Sequence, residues 1–390
     1  MKHNKLFLLG GILLSGVHAA AAAAESNVTM YGIVDAGIGY TSNQKGNGNT
    51  YLRSGTKDGS RLGFKGTEDL GGGTQLLFQL EAGFNLDDGT ASQAGSLFNR
   101  AAFIGLSDKR LGTLTVGRQY APYFSFLNPL GPVPVLTGAT GAHPGDIDGL
   151  DITIRNNNSV KYVSPDWHGA SFGVLVASGE QADHQGSGGA LSAAAKYDAG
   201  PWRYALGYQV LKNGPQQATW DPTAASSFSK SPINAGYLSA RDVQYLTAAT
   251  FYQRGALGLG GSLSNVQYRP NTSSRFADTA IFNTGAVLAS WKTNTPWQLG
   301  AGFAYTRATR ANGISDAANY RQLSLQQSYW LTKRTAIYIV EAAQRARGKT
   351  LAADGMTQIN AVAVVGDSQV STPSSNGNQN VFMVGLRHAF

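Results

Sequence analysis

Of 390 residues only 14% are charged, while 49 are glycine, 17 tyrosine, 16 phenylalanine and none cysteine. No apolar run of about 18 residues or more follows the N-terminal leader, which excludes a helical membrane protein, and an exported chain without cysteine has no disulfide, metal-thiolate or thiol redox chemistry. The formal charge of +8 falls to +6 once the two leader lysines are removed, and the basic residues are scattered at strand spacing, which argues against nucleic-acid binding.

The leader has Lys2 and Lys5, the apolar run Leu6 to Leu14 and the small-residue tract Ala19 to Ala24. That grammar predicts an exported bacterial-type signal peptide over residues 1–24, with one domain over 25–390. A water-soluble chain of this length would carry nearer a quarter charged residues. Low charge with abundant glycine and aromatics points instead to an all-β, transmembrane antiparallel barrel in lipid.

The first mature strand begins at Asn27, with Val28, Met30 and Val34 on one side and Asp35 on the other. Polar, glycine-rich Thr41 to Thr56 reads as a first long loop. Ser60 to Phe84 is a hairpin: Leu76, Phe78, Leu80, Ala82 and Phe84 alternate with Gln75, Gln79 and Glu81, and the join Thr67 to Gly73 is rich in residues that tolerate positive φ. A second loop covers Asp87 to Ser96. In the strand Asn99 to Leu106, Arg100 is expected to point away from Phe103, with Ile104 breaking the alternation. Leu114 and Val116 then face outward, and Arg118 shares their parity, which puts it beyond the lipid band at a loop root.

Gln119 to Asn158 is the longest irregular stretch of the first half, with five prolines and the acids Asp146, Asp148 and Asp151. Its apolar residues argue that it packs against something, since loops this long are usually functional or disordered. From Ser159 onward the chain repeats strand, short turn, strand, long loop. About seven short turns and eight long loops make about sixteen strands, with short periplasmic turns and long extracellular loops. The alternation is weakest between Gly258 and Trp291. In the last strand Phe382, Val384, Leu386 and Phe390 share a face opposite Met383, Gly385 and Arg387. Pairing it with the strand after Asn27 closes the barrel and removes an exposed edge.

Several segments together resemble the trimeric, sixteen-strand general-diffusion porins of β-proteobacteria: NVTMYGIVDAG, SRLGFKGTEDLGGGTQLLFQLEAGFNLDDG, FNRAAFIGLSDKRLGTLTVGRQY, NNSVKYVSP and the terminal VGLRHAF. The match runs through nearly the whole mature chain. The resemblance implies a homotrimer in the outer membrane, among its lipid and lipopolysaccharide, whose third loop folds into the lumen to form a constriction. Arg61, Arg100 and Arg155 match the family's basic wall, Glu81 its acidic wall, and Phe390 the terminal residue read by the barrel-assembly machinery. Asp146, Asp148 and Asp151 are candidate loop acids.

Strand parity reaches Arg61, Lys65, Glu81 and Lys161 independently, because a charge facing lipid near mid-membrane costs about 2–4 kcal/mol for Arg or Lys. The implied function is passive diffusion of ions and small hydrophilic solutes through a water-filled channel, with a mild anion preference, and no cofactor, metal or enzymatic step. A substrate-specific channel for small anions such as organic acids is the alternative. The G-x-S-x-G match at Gly169 to Gly173 reads as chance, because Phe172, Val174 and Val176 continue as a strand where a nucleophile elbow needs a helix. Among the mature histidines His143, His168, His184 and His388, none has a hydrolase-like setting. Asp146, Asp148 and Asp151 resemble part of a calcium loop that lacks its twelfth-position glutamate.

Overall fold

The computed structural model describes residues 27–151, 154–180, 182, 184, 186–215, 220, 231–366 and 373–390. The leader expected over 1–24 lies outside them. The strands are β1 (Asn27–Gln44), β2 (Asn47–Ser54), β3 (Arg61–Gly71), β4 (Thr74–Gly83), β5 (Ala101–Asp108), β6 (Gly112–Gln119), β7 (Asn156–Val163), β8 (Ala170–Ala177), β9 (Ala190–Ala199) and β10 (Trp202–Lys212). They continue as β11 (Asp242–Arg254), β12 (Leu257–Arg269), β13 (Ala280–Lys292), β14 (Trp297–Ala308), β15 (Asn319–Trp330), β16 (Thr335–Arg347), the short pair β17 (Lys349–Leu351) and β18 (Gln358–Asn360), and β19 (Asn378–Ala389).

Except for β17 and β18, these form one antiparallel sheet closed by pairing β19 with β1. Two segments share one barrel position. Residues 36–44 of β1 pair with β2 and residues 27–33 pair with β3, so the closed wall has sixteen positions. Thr41 to Thr56 is therefore not a long loop. β1 runs on to Gln44, turns at Lys45 and Gly46, both at positive φ, and returns as β2. Above the lipid a strand needs no apolar face, so its polar composition hid it.

Outward parity follows the sequence reading over most of the wall, with Ile38, Val116, Leu206, Leu263 and Phe382 exposed on the outer face. In β5 the reading is reversed. Ile104 and Leu106 are the outward residues, while Phe103 faces inward with Arg100. The ladder to β4 begins at Ala101, so Arg100 precedes the first strand residue and parity does not carry back to it.

Much of the interior is not polar. Tyr245, Phe251, Tyr268, Phe282 and Tyr320 point inward from β11 to β15 and are fully buried. They pack with Tyr123, Leu127, Leu136 and Ile147 of the third loop, with Ile233 and Tyr237 of the fifth loop, between β10 and β11, and with Ala361, Ala363 and Val364 of the eighth, between β16 and β19. The inward face of these strands therefore mixes large apolar side chains with buried serine, threonine and glutamine, which is why alternation fades between Gly258 and Trp291.

The third loop leaves β6 and enters the helix α1 (Pro122–Leu127), which lies on β9 and β10. It then crosses to the far wall. There Leu136 sits against Gly300 and Gly302, where an added Cβ would come within 2.3 and 2.9 Å of its methyl carbons. Gln322 Nε2 donates to the Ala142 carbonyl at 2.7 Å, and its Oε1 accepts from the Gly366 N–H at 2.9 Å. A segment of the eighth loop is thus wedged behind the third, and the open passage is displaced toward β3 to β7.

Candidate functional site

The passage narrows to a cavity of about 390 Å³. Its wall side carries Arg61, Glu81, Arg100 and Lys161, and its loop side Tyr120, Phe124 and Asp151. Parity on β3 and β4 explains the wall: Arg61 lies opposite Gly83, and Glu81 opposite Gly63, on one face of the hairpin. Glu81 is the hub. Arg100 Nε approaches its Oε1 to 2.6 Å, Arg61 Nε its Oε2 to 3.9 Å, and the Tyr31 hydroxyl donates to Oε2 at 2.8 Å. One carboxylate thus faces two guanidinium groups, and the wall stays net positive.

Arg155 is aligned by the third loop. Its Nε donates to the Tyr120 hydroxyl at 3.0 Å, its guanidinium lies 5.4 Å from that ring's centroid, and Tyr120 stacks on Phe124 at 4.6 Å. Lys161 Nζ donates to the Tyr120 carbonyl at 3.2 Å and lies 5.8 Å from the Phe103 ring. Cations at an aromatic face gain electrostatic attraction from the ring. Tyr120 therefore joins the two cations to the loop that narrows the passage.

The other candidates separate by position. Lys65, four residues beyond Arg61, is exposed lower on the wall, with Nζ 5.4 Å from the Tyr31 ring. Arg118, the second-tier basic candidate that parity places at a loop root, lies at one and does not line the cavity. Gly117 at φ 127° and the register shift beside it break the ladder there, and Arg118 is buried against the second loop. Its Nε donates to the Asn99 carbonyl at 2.8 Å, and its guanidinium binds Gln93 and Asn157, so it clamps a loop root.

Among the loop acids only Asp151 borders the cavity. Asp146 accepts the Asp151 N–H at 2.9 Å, and Asp148 is fully buried between the His143 ring at 2.6 Å and the Ser264 hydroxyl at 2.8 Å. Burial pushes the His143 imidazole down, but the adjoining Asp148 carboxylate more than offsets this and holds it above the ordinary histidine value. For Asp148, burial raises and the His143 and Ser264 contacts lower, leaving it below the usual carboxylate range. The pair latches the inner loop to β12. The three acids do not converge on a point, and among the described residues no cluster has the makings of a metal site. At the G-x-S-x-G match the chain runs straight on through β8, with Phe172 facing outward.

Lys57 was not singled out by pattern, because it sits in the six-residue return between β2 and β3. Its Nζ donates to the Leu136 carbonyl at 2.5 Å, joining that return to the inner loop. Burial pushes its ammonium down to about 8, against the pull of the Asp58 and Asp35 carboxylates. The return is shaped by Asp35, which accepts the Thr56 N–H at 3.2 Å, the Asp58 N–H at 3.0 Å and the Tyr338 hydroxyl at 2.6 Å. The signal was an acid on the inward face of the first strand.

The sequence matches the family model described as Gram-negative porin over residues 12–349. It is 31% identical over 368 residues to an outer membrane porin protein of Bordetella pertussis, covering 86% of this chain and 92% of that one. It is 30% identical over 260 residues to outer membrane porin protein 32 of Delftia acidovorans, covering 64% and 67%. In fold it is similar to the anion-selective porin from Comamonas acidovorans, with a TM-score of 0.72 at 24% identity over 94% of this chain and all of that one. The trimer form of OmpT from Vibrio cholerae superposes with a TM-score of 0.64 at 16% identity over 94% and 99%. A closed sixteen-position barrel, an inner loop across its lumen and these relatives together make the chain a member of the Gram-negative porins, a channel of the bacterial outer membrane.

Proposed function

We propose that the channel is water-filled and passive, carries ions and small hydrophilic solutes with a mild preference for anions, and works as a homotrimer with no catalytic step. The observation that carries the selectivity is the charge around the cavity, where Lys57, Arg61, Arg100 and Lys161 face Asp58, Glu81 and Asp151. Arg155 adds a cation behind Tyr120. Fixed charges on a low-dielectric wall focus the field and raise the local concentration of counter-ions. In this reading Arg61, Arg100, Arg155, Lys161 and Glu81 are the constriction, with Asp151 as its loop acid.

The anion-selective character of the Comamonas porin and the trimer form of the Vibrio protein support selectivity and assembly by analogy. The leader is removed on export, and Phe390 is offered to the barrel-assembly machinery. Planar-bilayer recording of the purified protein in a salt gradient tests the reading: three conductance steps per insertion and a zero-current potential of anionic sign are expected. A single step with cationic sign contradicts it. The organic-acid alternative has one supporting observation, the aromatic lining of Phe103, Tyr120 and Phe124 beside the arginines. Flux that saturates with carboxylate concentration would favour it.

A further inference from the structure

The lumen between the narrow cavity and the periplasmic turns carries cations that rest on aromatic rings more than on carboxylates. Lys161 of β7 lies 5.8 Å from the Phe103 ring centroid, Lys196 of β9 5.9 Å from that of Phe126, and Arg203 of β10 4.7 Å from that of Phe251. Lys161 and Arg203 form no ion pair among the described residues, and Lys196 has a solvent-open companion in Asp198 at 3.6 Å. At the outer mouth the arrangement is the opposite, with Arg241 and Arg269 sharing Asp242 at 2.7 and 2.5 Å. A carboxylate cancels a cation, whereas a ring orients it and leaves its charge available to a passing anion.

Parity and packing put Lys196 and Arg203 beneath the third-loop helix α1. The Ser192 hydroxyl accepts the Tyr123 N–H at 3.1 Å, and Lys196 is on the same face of β9, four residues nearer the periplasmic turn. Gly207 seats the same helix, since an added Cβ would lie 2.7 Å from a Leu127 methyl carbon, and Arg203 is on that face of β10, four residues nearer the turn. Lys161 Nζ is held at the head of the helix by the Tyr120 carbonyl at 3.2 Å. The three half-buried cations therefore follow α1 along the wall from the cavity toward the periplasmic mouth.

The helix adds its own rings to that path. Phe124 borders the cavity, stacked on Tyr120 at 4.6 Å, and Phe126 stands by Lys196. Both are only half-buried, whereas Tyr123 and Leu127 of the same helix are fully buried against the barrel. A ring left half-open in a water-filled passage gains when an apolar solute surface covers it. The matching solute has one negative charge for the cation and a flat apolar body for the ring. Hydrated chloride or acetate leaves the rings wet. A second carboxylate would be set against the rings and against Asp151, the loop acid of the same cavity.

We infer that the channel favours aromatic monocarboxylates, which dock first with the carboxylate on Lys161 and the ring against Phe124, then pass to Lys196 and Arg203 beneath the helix. The inference rests on the anion-preferring, water-filled reading given above, and adds to it the solute class and the stations below the constriction. Weak stations in series suit conduction, because a solute must bind well enough to enter and loosely enough to leave.

The test uses the full chain in planar bilayers, with chloride current recorded while benzoate, acetate or succinate is added. Benzoate should reduce the current saturably, at a half-blocking concentration about fivefold below that of acetate, the scale of one aromatic contact, and succinate should resemble acetate. Lys161→Gln should raise the benzoate value about tenfold, as loss of a charge-assisted contact does. Phe124→Leu should raise it about threefold and leave the acetate value unchanged, which neither misfolding nor a change of charge would do. The double variant Lys196→Gln/Arg203→Gln should lower the benzoate-to-acetate permeability ratio read from zero-current potentials, and Lys212→Gln, at the outer mouth, should alter none of these. Chloride conductance verifies that each variant folds. A wild-type pore that prefers anions yet is blocked equally by benzoate and acetate overturns this inference alone, whereas a cation-preferring wild type removes the reading beneath it. Tighter block by succinate than by benzoate, benzoate block unchanged by Phe124→Leu, or a permeability ratio unchanged in the double variant also overturns it.

Discussion

Arg100 and Glu81 meet at 2.6 Å with both side chains almost wholly withdrawn from solvent, while Arg61 stands 3.9 Å from the same carboxylate. One acid thus restrains two cations that would otherwise repel across the passage. Glu81→Gln should strengthen anion preference, because it removes a negative charge and leaves both arginines. Removing one partner of a buried ion pair typically costs about 3–5 kcal/mol, and water in the passage places the loss toward the lower end. A salt-gradient zero-current potential and a heat-dissociation series in detergent check the two effects. An unchanged potential would remove Glu81 from the constriction.

Charge reversal separates the constriction from the mouth. Arg61→Glu changes the local charge by two units and should move the zero-current potential toward cations, whereas Lys212→Glu, at the loop end of β10, should move it far less. Two unit charges about 8 Å apart in water interact by only about 0.5 kcal/mol, and a low-dielectric wall raises this several-fold. Raising salt from 0.1 M to 1 M shortens the screening length from about 10 to about 3 Å, so the difference should shrink. Equal shifts in both variants would place Arg61 outside the narrow part.

Lys57 should make selectivity pH-dependent. Its ammonium, buried beside Asp58, Asp35 and Arg387, titrates near 8, so anion preference should fall between pH 7 and 9. Lys57→Arg stays charged and should flatten that profile. The stability sign is the reverse of an ordinary paired lysine. With the folded value below the unfolded one, the unfolded chain binds more protons between about 8 and 10.5, and stability rises with pH across that window. A wild-type profile as flat as that of the arginine variant would exclude Lys57 as the titrating group.

The latch between His143 and Asp148 has its own window. The raised folded value of His143 contributes stability that is full below about 6.5, its unfolded value, and is lost as pH climbs through the folded one. The lowered folded value of Asp148 contributes above about 3.9 and is lost on acidification through its folded value. The pair should therefore matter most between about pH 4 and 6.5. A double-mutant cycle of His143→Gln and Asp148→Asn, followed by heat dissociation at several pH values, should show its largest coupling there. Coupling that ignores pH would mean that the contact is a neutral hydrogen bond.

Much of this was legible in the chain. The Ser60 to Phe84 hairpin placed Arg61 and Glu81 on one face because two-residue alternation survives wherever lipid and water face opposite sides of a strand. Alternation fails where that contrast is missing. β2 is polar along most of its length, and β11 to β15 carry large apolar residues on their inward face as well, among buried polar ones, because loops fill the barrel behind them. The run Ala361-Val362-Ala363-Val364-Val365 was a visible sign of an infolded segment, hidden inside the long loop before the last strand. Asp146 and Asp148 shared composition with Asp151, and only tertiary packing separates the acid at the passage from the two beneath the loop. Lys57 had no periodic neighbour to give it away.

Phe390 is placed to act twice, and the two roles can be separated. Its N–H donates to the Gly32 carbonyl at 3.0 Å and its carbonyl accepts the Gly32 N–H at 3.1 Å, closing the last rung between the chain ends. Its ring covers Gly32 so closely that an added Cβ there would lie 2.3 Å from the ring's tip. Phe382, by contrast, lies mid-strand on the same outer face, opposite Tyr40 and Glu341. Deleting Phe390 should lower the folded amount in the outer membrane far more than Phe382→Leu does. Phe390→Ala keeps both backbone bonds while removing the ring. If the terminal aromatic is read during assembly, that variant should refold in detergent nearly as well as wild type yet be depleted in cells. Equal depletion in both settings would assign Phe390 to barrel closure alone.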